Sequence, residues 1–206
     1  MKLSVRQKIY LPFKRLFDII CALLALIVFS WLYIILGLLV VCTSKGGLFF
    51  KQKRVGKNKK TFYIYKFRTM RADTPHDTPT HLLEDPDKWI TPVGKFLRKT
   101  SLDEIPQALN ILAGHMSVVG PRPALWNQDD LVAERDKYGA NDIRPGLSGW
   151  AQANGRDTLP IPEKARLDGE YVKRFNLWFD IWVIIKTVLT AFTGKDEVEE
   201  KKGSVK

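Results

Sequence analysis

Cysteine and histidine are scarce in this chain, and their scarcity removes two kinds of site. Among 206 residues there are two cysteines, Cys21 and Cys42, both in apolar sequence. That provides no disulfide framework. The three histidines, His76, His81 and His115, are scattered among no thiols, so no zinc-type ligand spacing exists. Acidic residues are also short: 22 Asp and Glu stand against 33 Lys and Arg, for a formal charge of +11. Such an excess implies a polyanionic partner, whether nucleic acid, anionic lipid or a phosphorylated ligand. One stretch has almost no charge of either sign. From Leu16 to Thr43 the chain reads LFDIICALLALIVFSWLYIILGLLVVCT, with Asp18 its one charged residue.

A core helix is rarely this long and apolar all round, so the stretch reads as membrane-inserted. It is too long for a signal peptide, and no small-residue cleavage pattern follows it. As a straight helix of about 28 residues it would run about 42 Å, against about 30 Å of hydrocarbon. Both flanks are basic: Lys2, Arg6, Lys8, Lys14 and Arg15 before it, and Lys45, Lys51, Lys53, Arg54, Lys57, Lys59 and Lys60 after it. The positive-inside rule puts both on the cytoplasmic side. A re-entrant helix that enters, bends and returns satisfies this, with Ser30 at the centre as the membrane bend and Gly37 a second weak point. Arg15 and Asp18, at i,i+3, are expected to pair at the interface.

The expected fold is α+β and mainly helical. Residues 1–43 form the basic N-terminus and membrane helix, 44–194 a cytoplasmic catalytic domain with interfacial helices, and 195–206 a charged, disordered tail. Two β-rich segments around Gly56-Lys57-Asn58 predict a hairpin. Alternation in its second strand places Lys66 and Arg68 on one face and Tyr63, Tyr65 and Phe67 on the other. That pattern would suit single-stranded nucleic acid, and equally a solvated face backed by a packed one. Residues 71–90 read as a loop or lid. Short helices are expected over Val93–Lys99 and Pro106–Ala113, the second ending at Gly114. Near the C-terminus, Trp178, Trp182, Ile185, Leu189 and Phe192 form one helical stripe. It fits an interfacial helix with tryptophans at headgroup depth, or a helix packed on the core.

The segment TSLDEIPQ, Thr100 to Gln107, sets Asp103 beside Glu104. Ser101 and Glu104 match a capping box. The alternative is chemical. A helix beginning near Pro106 would point free N–H groups back at the acids and favour an ionised carboxylate, as a nucleophile requires. In GPRP, Gly120 to Pro123, the two prolines fix the backbone around Arg122, which suits bidentate contact with a diphosphate. The same turn could simply carry a solvated arginine.

Four motifs occur in order behind the basic-flanked apolar helix: YKFRTM, LRKTSLDEIPQALNIL, SVVGPRP and RPGLSGWAQANGR. Together they closely resemble the bacterial sugar transferase family, the small monotopic phosphoglycosyl transferases that act on polyprenyl phosphate. The resemblance runs from about Lys14 to Thr190, and the length is that of the family's minimal form. It implies transfer of a sugar-1-phosphate from a UDP-sugar to undecaprenyl phosphate, with release of UMP. It also implies that Asp103 attacks the sugar-linked phosphorus to form a covalent phosphosugar. Glu104 would assist Mg²⁺ binding or proton handling, so that Asp103 and Glu104 are both metal candidates. Arg98 and Arg122 would hold phosphates, with Lys66, Arg68, Arg144, Gln152, Asn154 and Arg156 completing the substrate-binding set. The implied partners are UDP-sugar, undecaprenyl phosphate and membrane lipids, with no nucleic acid. The implied location is the cytoplasmic face of a bacterial inner membrane. The chain differs from the family pattern in having Ser30-Trp31 where a serine–proline pair usually bends the helix, and His115 where the family often has Asp. A membrane-anchored basic module without catalysis, or a lipid-phosphate hydrolase, would be the competing readings.

Overall fold

The computed structural model describes residues 3–43, 46–74, 85–155 and 159–193. Helix α1 (Val5–Val28) begins well before the apolar run. Its start is fixed by a capping box at Ser4 and Gln7: the Gln7 N–H donates to Ser4 Oγ and the Ser4 N–H to Gln7 Oε1. This two-way arrangement satisfies two N–H groups that the helix leaves free. Helix α2 (Ser30–Thr43) follows after a 65° bend at Phe29, immediately before Ser30. Among the described residues no single helix is long and apolar enough to cross a membrane.

The bend is held from outside the helix pair. Leu36 and Val40 of α2 pack with Phe67 and Leu97 in one buried cluster, and the Tyr33 hydroxyl donates to the Ile105 carbonyl at 2.6 Å. Tertiary contact thus fixes an angle that no proline imposes.

Helix α1 has two faces. Gln7, Lys14, Asp18 and Ala22, at helical spacing, are buried, while Ile9, Phe13, Leu16, Ile20 and Ile27 are exposed. The expected Arg15–Asp18 pair does not form. Arg15 donates to the Ile111 and Leu112 carbonyls at 2.6 and 2.9 Å. Asp18 accepts from Ser117 Oγ and the Val118 N–H. Lys14 is also turned inward, onto Asp180 at 2.6 Å. These two cations of the basic flank therefore anchor α1 to the domain: Lys14 neutralises the buried Asp180 carboxylate, and Arg15 meets the carbonyls at the end of α4.

Strands β1 (Phe49–Val55) and β2 (Thr61–Phe67) form the expected antiparallel hairpin, with Lys53 opposite Tyr63. Asn58 adopts φ 54° in its turn, a left-handed conformation that asparagine tolerates. The strand faces differ from the simple expectation. Phe62 and Ile64, on the face of Lys66, are buried, whereas Tyr63 is exposed. The reason is that both faces are covered in part, one by α1 and α4, the other by α2 and α3.

Helices α3 (Pro92–Lys99) and α4 (Gln107–Leu112) lie close to their expected positions, and Gly114 closes α4 at φ +81°. Of the remaining elements, the two short strands and the next two helices were not signalled by sequence pattern, whereas the C-terminal helix was. Strand β3 (Ser117–Val119) pairs in parallel with β4 (Gly146–Ser148), inside the glycine-rich segment. Helices α5 (Asp129–Asp136) and α6 (Ile161–Arg174) pack on each other. Helix α7 (Leu177–Thr193) buries Phe179 and Val183 against Tyr171 and Val119. Its Trp178, Trp182, Ile185 and Leu189 are exposed, so the tryptophan stripe is an uncovered surface and not part of the core. The Phe192 side chain, most of the 71–90 loop and the 195–206 tail lie outside what is described.

Candidate active site

A cleft of about 450 Å³ opens between the hairpin, α3, the GPRP turn and the α5–α6 pair. Asp103 and Glu104 lie in its wall, on a 3₁₀ turn over Leu102–Glu104. The capping-box reading of this stretch fails. Ser101 has φ +56° and caps no N–H group. Helix dipole support also gives way to side chains. The N–H groups of Glu104, Ile105, Ala108 and Leu109 are all used in local turns, so the compensating charge comes from cations in three other segments.

Lys66 of β2 donates to Glu104 Oε1 at 2.6 Å and stands 3.8 Å from Asp103 Oδ2. Arg122 reaches Glu104 Oε1 at 2.6 Å and Oε2 at 3.4 Å. Burial pushes the Glu104 carboxyl up, but the charges of Arg122 and Lys66 and their hydrogen bonds outweigh it and hold the group well below the usual carboxylate range. Asp103 responds oppositely. Burial pushes it above its ordinary value, Lys66 counteracts this, and the Glu104 charge adds to the rise. It is 8% exposed, and among the described residues nothing donates a hydrogen bond to its carboxylate. The pair therefore divides into an ionised Glu104 held by two hydrogen-bonded cations and a more basic Asp103 that shares Lys66 only at longer range.

Local structure presents each partner. Asn110 clamps α4 to β2, donating to the Tyr63 carbonyl at 2.7 Å and accepting from the Tyr65 N–H at 2.9 Å. That fixes the 3₁₀ turn relative to Lys66. Arg98 of α3 is positioned by its Nε donating to Thr69 Oγ1 at 2.9 Å, and burial lowers its guanidinium's pKa against the pull of Asp103. The GPRP turn is locked by backbone bonds from the Gly120 N–H to Ser148 and from the Gly146 N–H to Pro121, both at 2.9 Å. A Cβ at Gly146 would lie 2.1 Å from the Gly120 nitrogen, so the close approach of these chains requires glycine.

Of the residues expected to bind substrate, Lys66, Arg68, Arg98, Arg122 and Gln152 line the cleft. Arg68 also crosses Gly46, where a Cβ would fall 1.8 Å from its Nη1. Arg144 and Asn154 are not among the lining residues. Arg144 donates to the Gly114 carbonyl at 2.8 Å. Asn154 bonds the Trp150 carbonyl at 2.6 Å and accepts from Lys186. Both lock turns, since each is met by a nearby backbone carbonyl before it can reach the cleft. Arg156 lies outside the described residues. Sequence reading missed Thr69 and Asn110, although both fall within quoted motifs, because short polar side chains carry no periodic signal.

The bacterial sugar transferase family model matches residues 9–194, and the chain belongs to that family. It is 37% identical over 195 residues to the UDP-glucose:undecaprenyl-phosphate glucose-1-phosphate transferase of Escherichia coli strain K12, covering 88% of this chain and 40% of the relative. It is 38% identical over 194 residues to the UDP-N-acetylgalactosamine-undecaprenyl-phosphate N-acetylgalactosaminephosphotransferase of Aeromonas hydrophila, covering 90% and 45%. It is 40% identical over 195 residues to the exopolysaccharide production protein PSS of Rhizobium leguminosarum bv. phaseoli, covering 89% and 96%. The chain thus spans less than half the length of the first two relatives and nearly all of the third.

Proposed function

We propose that this protein transfers a sugar-1-phosphate from a UDP-sugar to undecaprenyl phosphate and releases UMP. The observation that carries the reading is the division of the acid pair: Glu104 is hydrogen-bonded by Lys66 and Arg122, while the adjacent Asp103 carboxylate lines the cleft with Lys66 at 3.8 Å and no hydrogen-bond donor among the described residues. An Asp103 oxygen attacks the sugar-bearing phosphorus, the bond to the UMP oxygen breaks, and UMP leaves with the electron pair. An oxygen of undecaprenyl phosphate then attacks the same phosphorus and frees the Asp103 carboxylate. Burial raises the Asp103 pKa, and a more basic carboxylate is a better nucleophile in its ionised form. Lys66, Arg122 and Arg98 offset phosphate charge where it develops.

Mg²⁺ fits this donor set. Among the described residues no group of three or more acids, histidines or cysteines could hold a metal by itself. Magnesium characteristically takes one or two carboxylates together with substrate phosphate oxygens. Asp103 and Glu104 would supply the protein oxygens, and the ion would neutralise diphosphate charge.

The exposed apolar faces of α1, α2 and α7 suit a protein seated in a membrane surface, with the α1–α2 pair re-entrant and the cleft on the cytoplasmic side of the inner membrane. The test is UMP release over a panel of UDP-sugars with undecaprenyl phosphate. Release should require the lipid for turnover, stop with EDTA and return with Mg²⁺. Without lipid, the protein should gain the mass of one phosphosugar on Asp103. An adduct on another residue, or no lipid-dependent release from any UDP-sugar, would defeat the reading.

A further inference from the structure

Where α5 packs on α6, the cleft wall holds an ion pair that the proposed reaction does not use. Arg135 and Asp168 are 4% and 1% exposed. Arg135 Nε and Nη2 both reach the same oxygen, Asp168 Oδ2, at 2.7 and 2.5 Å. The other oxygen, Oδ1, is buried and has no hydrogen-bond partner among the described residues. Gln152, in the 3₁₀ turn after β4, repeats the pattern: its Oε1 is buried and accepts nothing. Both residues line the same cleft as Asp103 and Glu104.

A buried acceptor left without a donor is costly, and native proteins rarely leave one unless a ligand or water completes it. Two such acceptors on residues lining one cleft call for hydrogen-bond donors on the ligand. An ionised phosphate has none to offer, and neither does a polyprenyl chain. A uracil ring offers one N–H flanked by two carbonyl oxygens, which would face the acceptors unfavourably. A sugar ring with vicinal hydroxyls offers two O–H donors side by side, and a fixed carboxylate is well suited to accept them. Arg135 holds the carboxylate by one oxygen and so leaves the other for the ligand.

We propose that Asp168, together with Gln152, accepts hydrogen bonds from the vicinal hydroxyls of a sugar ring in the donor substrate. This inference rests on the reading of the substrate as a UDP-sugar. That ligand carries two candidate rings, the ribose of uridine and the transferred sugar.

The test reads binding by calorimetry in the full-length Asp103→Asn protein, which cannot turn over. If the ring is ribose, UMP binds about 10- to 100-fold more tightly than 2′-deoxy-UMP or 3′-deoxy-UMP, the discrimination expected when a charged acceptor loses its donor. If the ring is the transferred sugar, the three nucleotides bind alike. The loss then appears between the UDP-sugar selected by the UMP-release panel and its 3-deoxy analogue, since C3 belongs to either vicinal pair. The penalty should fall below about threefold when Asp168→Asn is added. There the amide oxygen would face Arg135 and the NH₂ group would replace the waiting acceptor. Gln152→Leu should reduce the penalty in the same direction. Equal binding of parent and deoxy ligands in both arms overturns the proposal, as does a penalty that survives both substitutions. The comparison of ligands needs no change at residue 168, so it stands even if Asp168→Asn fails to fold. Failure of every UDP-sugar to bind would defeat the transferase reading itself, whereas equal binding of the analogues defeats only this inference.

Discussion

Lys66 Nζ lies 2.6 Å from Glu104 Oε1 and so joins β2 to the 3₁₀ turn that carries both acids. The same ammonium group stands 3.8 Å from Asp103. Lys66 is therefore the cation shared by the pair. Lys66→Met keeps the length of the stem and removes the charge. Glu104 retains Arg122, so the protein should remain folded, as circular dichroism would show. The loss of one charge-assisted contact should lower kcat/KM by about 10- to 100-fold. Wild-type kinetics in Lys66→Met would show that Arg122 alone governs the pair.

Asp103→Asn should fold, release no UMP and form no adduct. Because Ser101 caps nothing, little stability depends on a capping role for this stretch. Glu104→Gln should fold and be strongly impaired, since it leaves Lys66 and Arg122 without their carboxylate. Turnover at wild-type rate by Asp103→Asn would remove it as the nucleophile.

The pH profile follows from the direction of the Asp103 shift. Burial raises its pKa, and the nucleophile must be ionised. Activity should therefore be present above the raised pKa and fall as pH drops through it. The acidic limb of kcat/KM, which reports the free enzyme, should lie above about 3.9, the value of an unperturbed aspartate. Lys66→Met removes a charge that lowers this pKa, so the limb should move to higher pH. A limb that stays in place would assign it to another group.

Arg122→Lys keeps the charge but loses the planar fork that reaches both Glu104 oxygens. We expect a loss of about 1.5–3 kcal/mol in transition-state stabilisation, the worth of a charge-assisted hydrogen bond. Steady-state kinetics with the UDP-sugar measures it directly. Near-normal turnover would reduce the GPRP turn to a structural feature.

The bend at Phe29 predicts topology. Val5 is exposed at the start of α1, and Lys57 is exposed in the hairpin turn. With Cys21 and Cys42 replaced, single cysteines at both positions should be labelled by a membrane-impermeant reagent only from the cytoplasmic side. Labelling from opposite sides would demonstrate a spanning helix.

Local pattern made several features legible. The long apolar run, the hairpin around Asn58, the apolar stripe on α7 and the helices on either side of the acid pair all follow from turn chemistry and side-chain period; that the α7 stripe is uncovered was decided by the packing. Asp103, Glu104 and Arg122 were also legible, because each sits in a short motif with unusual neighbours. Tertiary structure alone decided what the buried charges do. Lys14 and Arg15 look like ordinary members of a basic flank, yet one meets Asp180 and the other caps the carbonyls of α4. Arg144 and Arg122 look alike in sequence, yet one locks a turn and the other meets Glu104. Arg135 and Asp168 lie 33 positions apart and are joined only because α5 packs on α6. The physical reason is the range of each effect. Helix and strand patterns depend on neighbours a few residues away along the chain. The state of a charge depends on burial and on ions a few ångströms away in space, and those ions come from segments that the fold alone brings together.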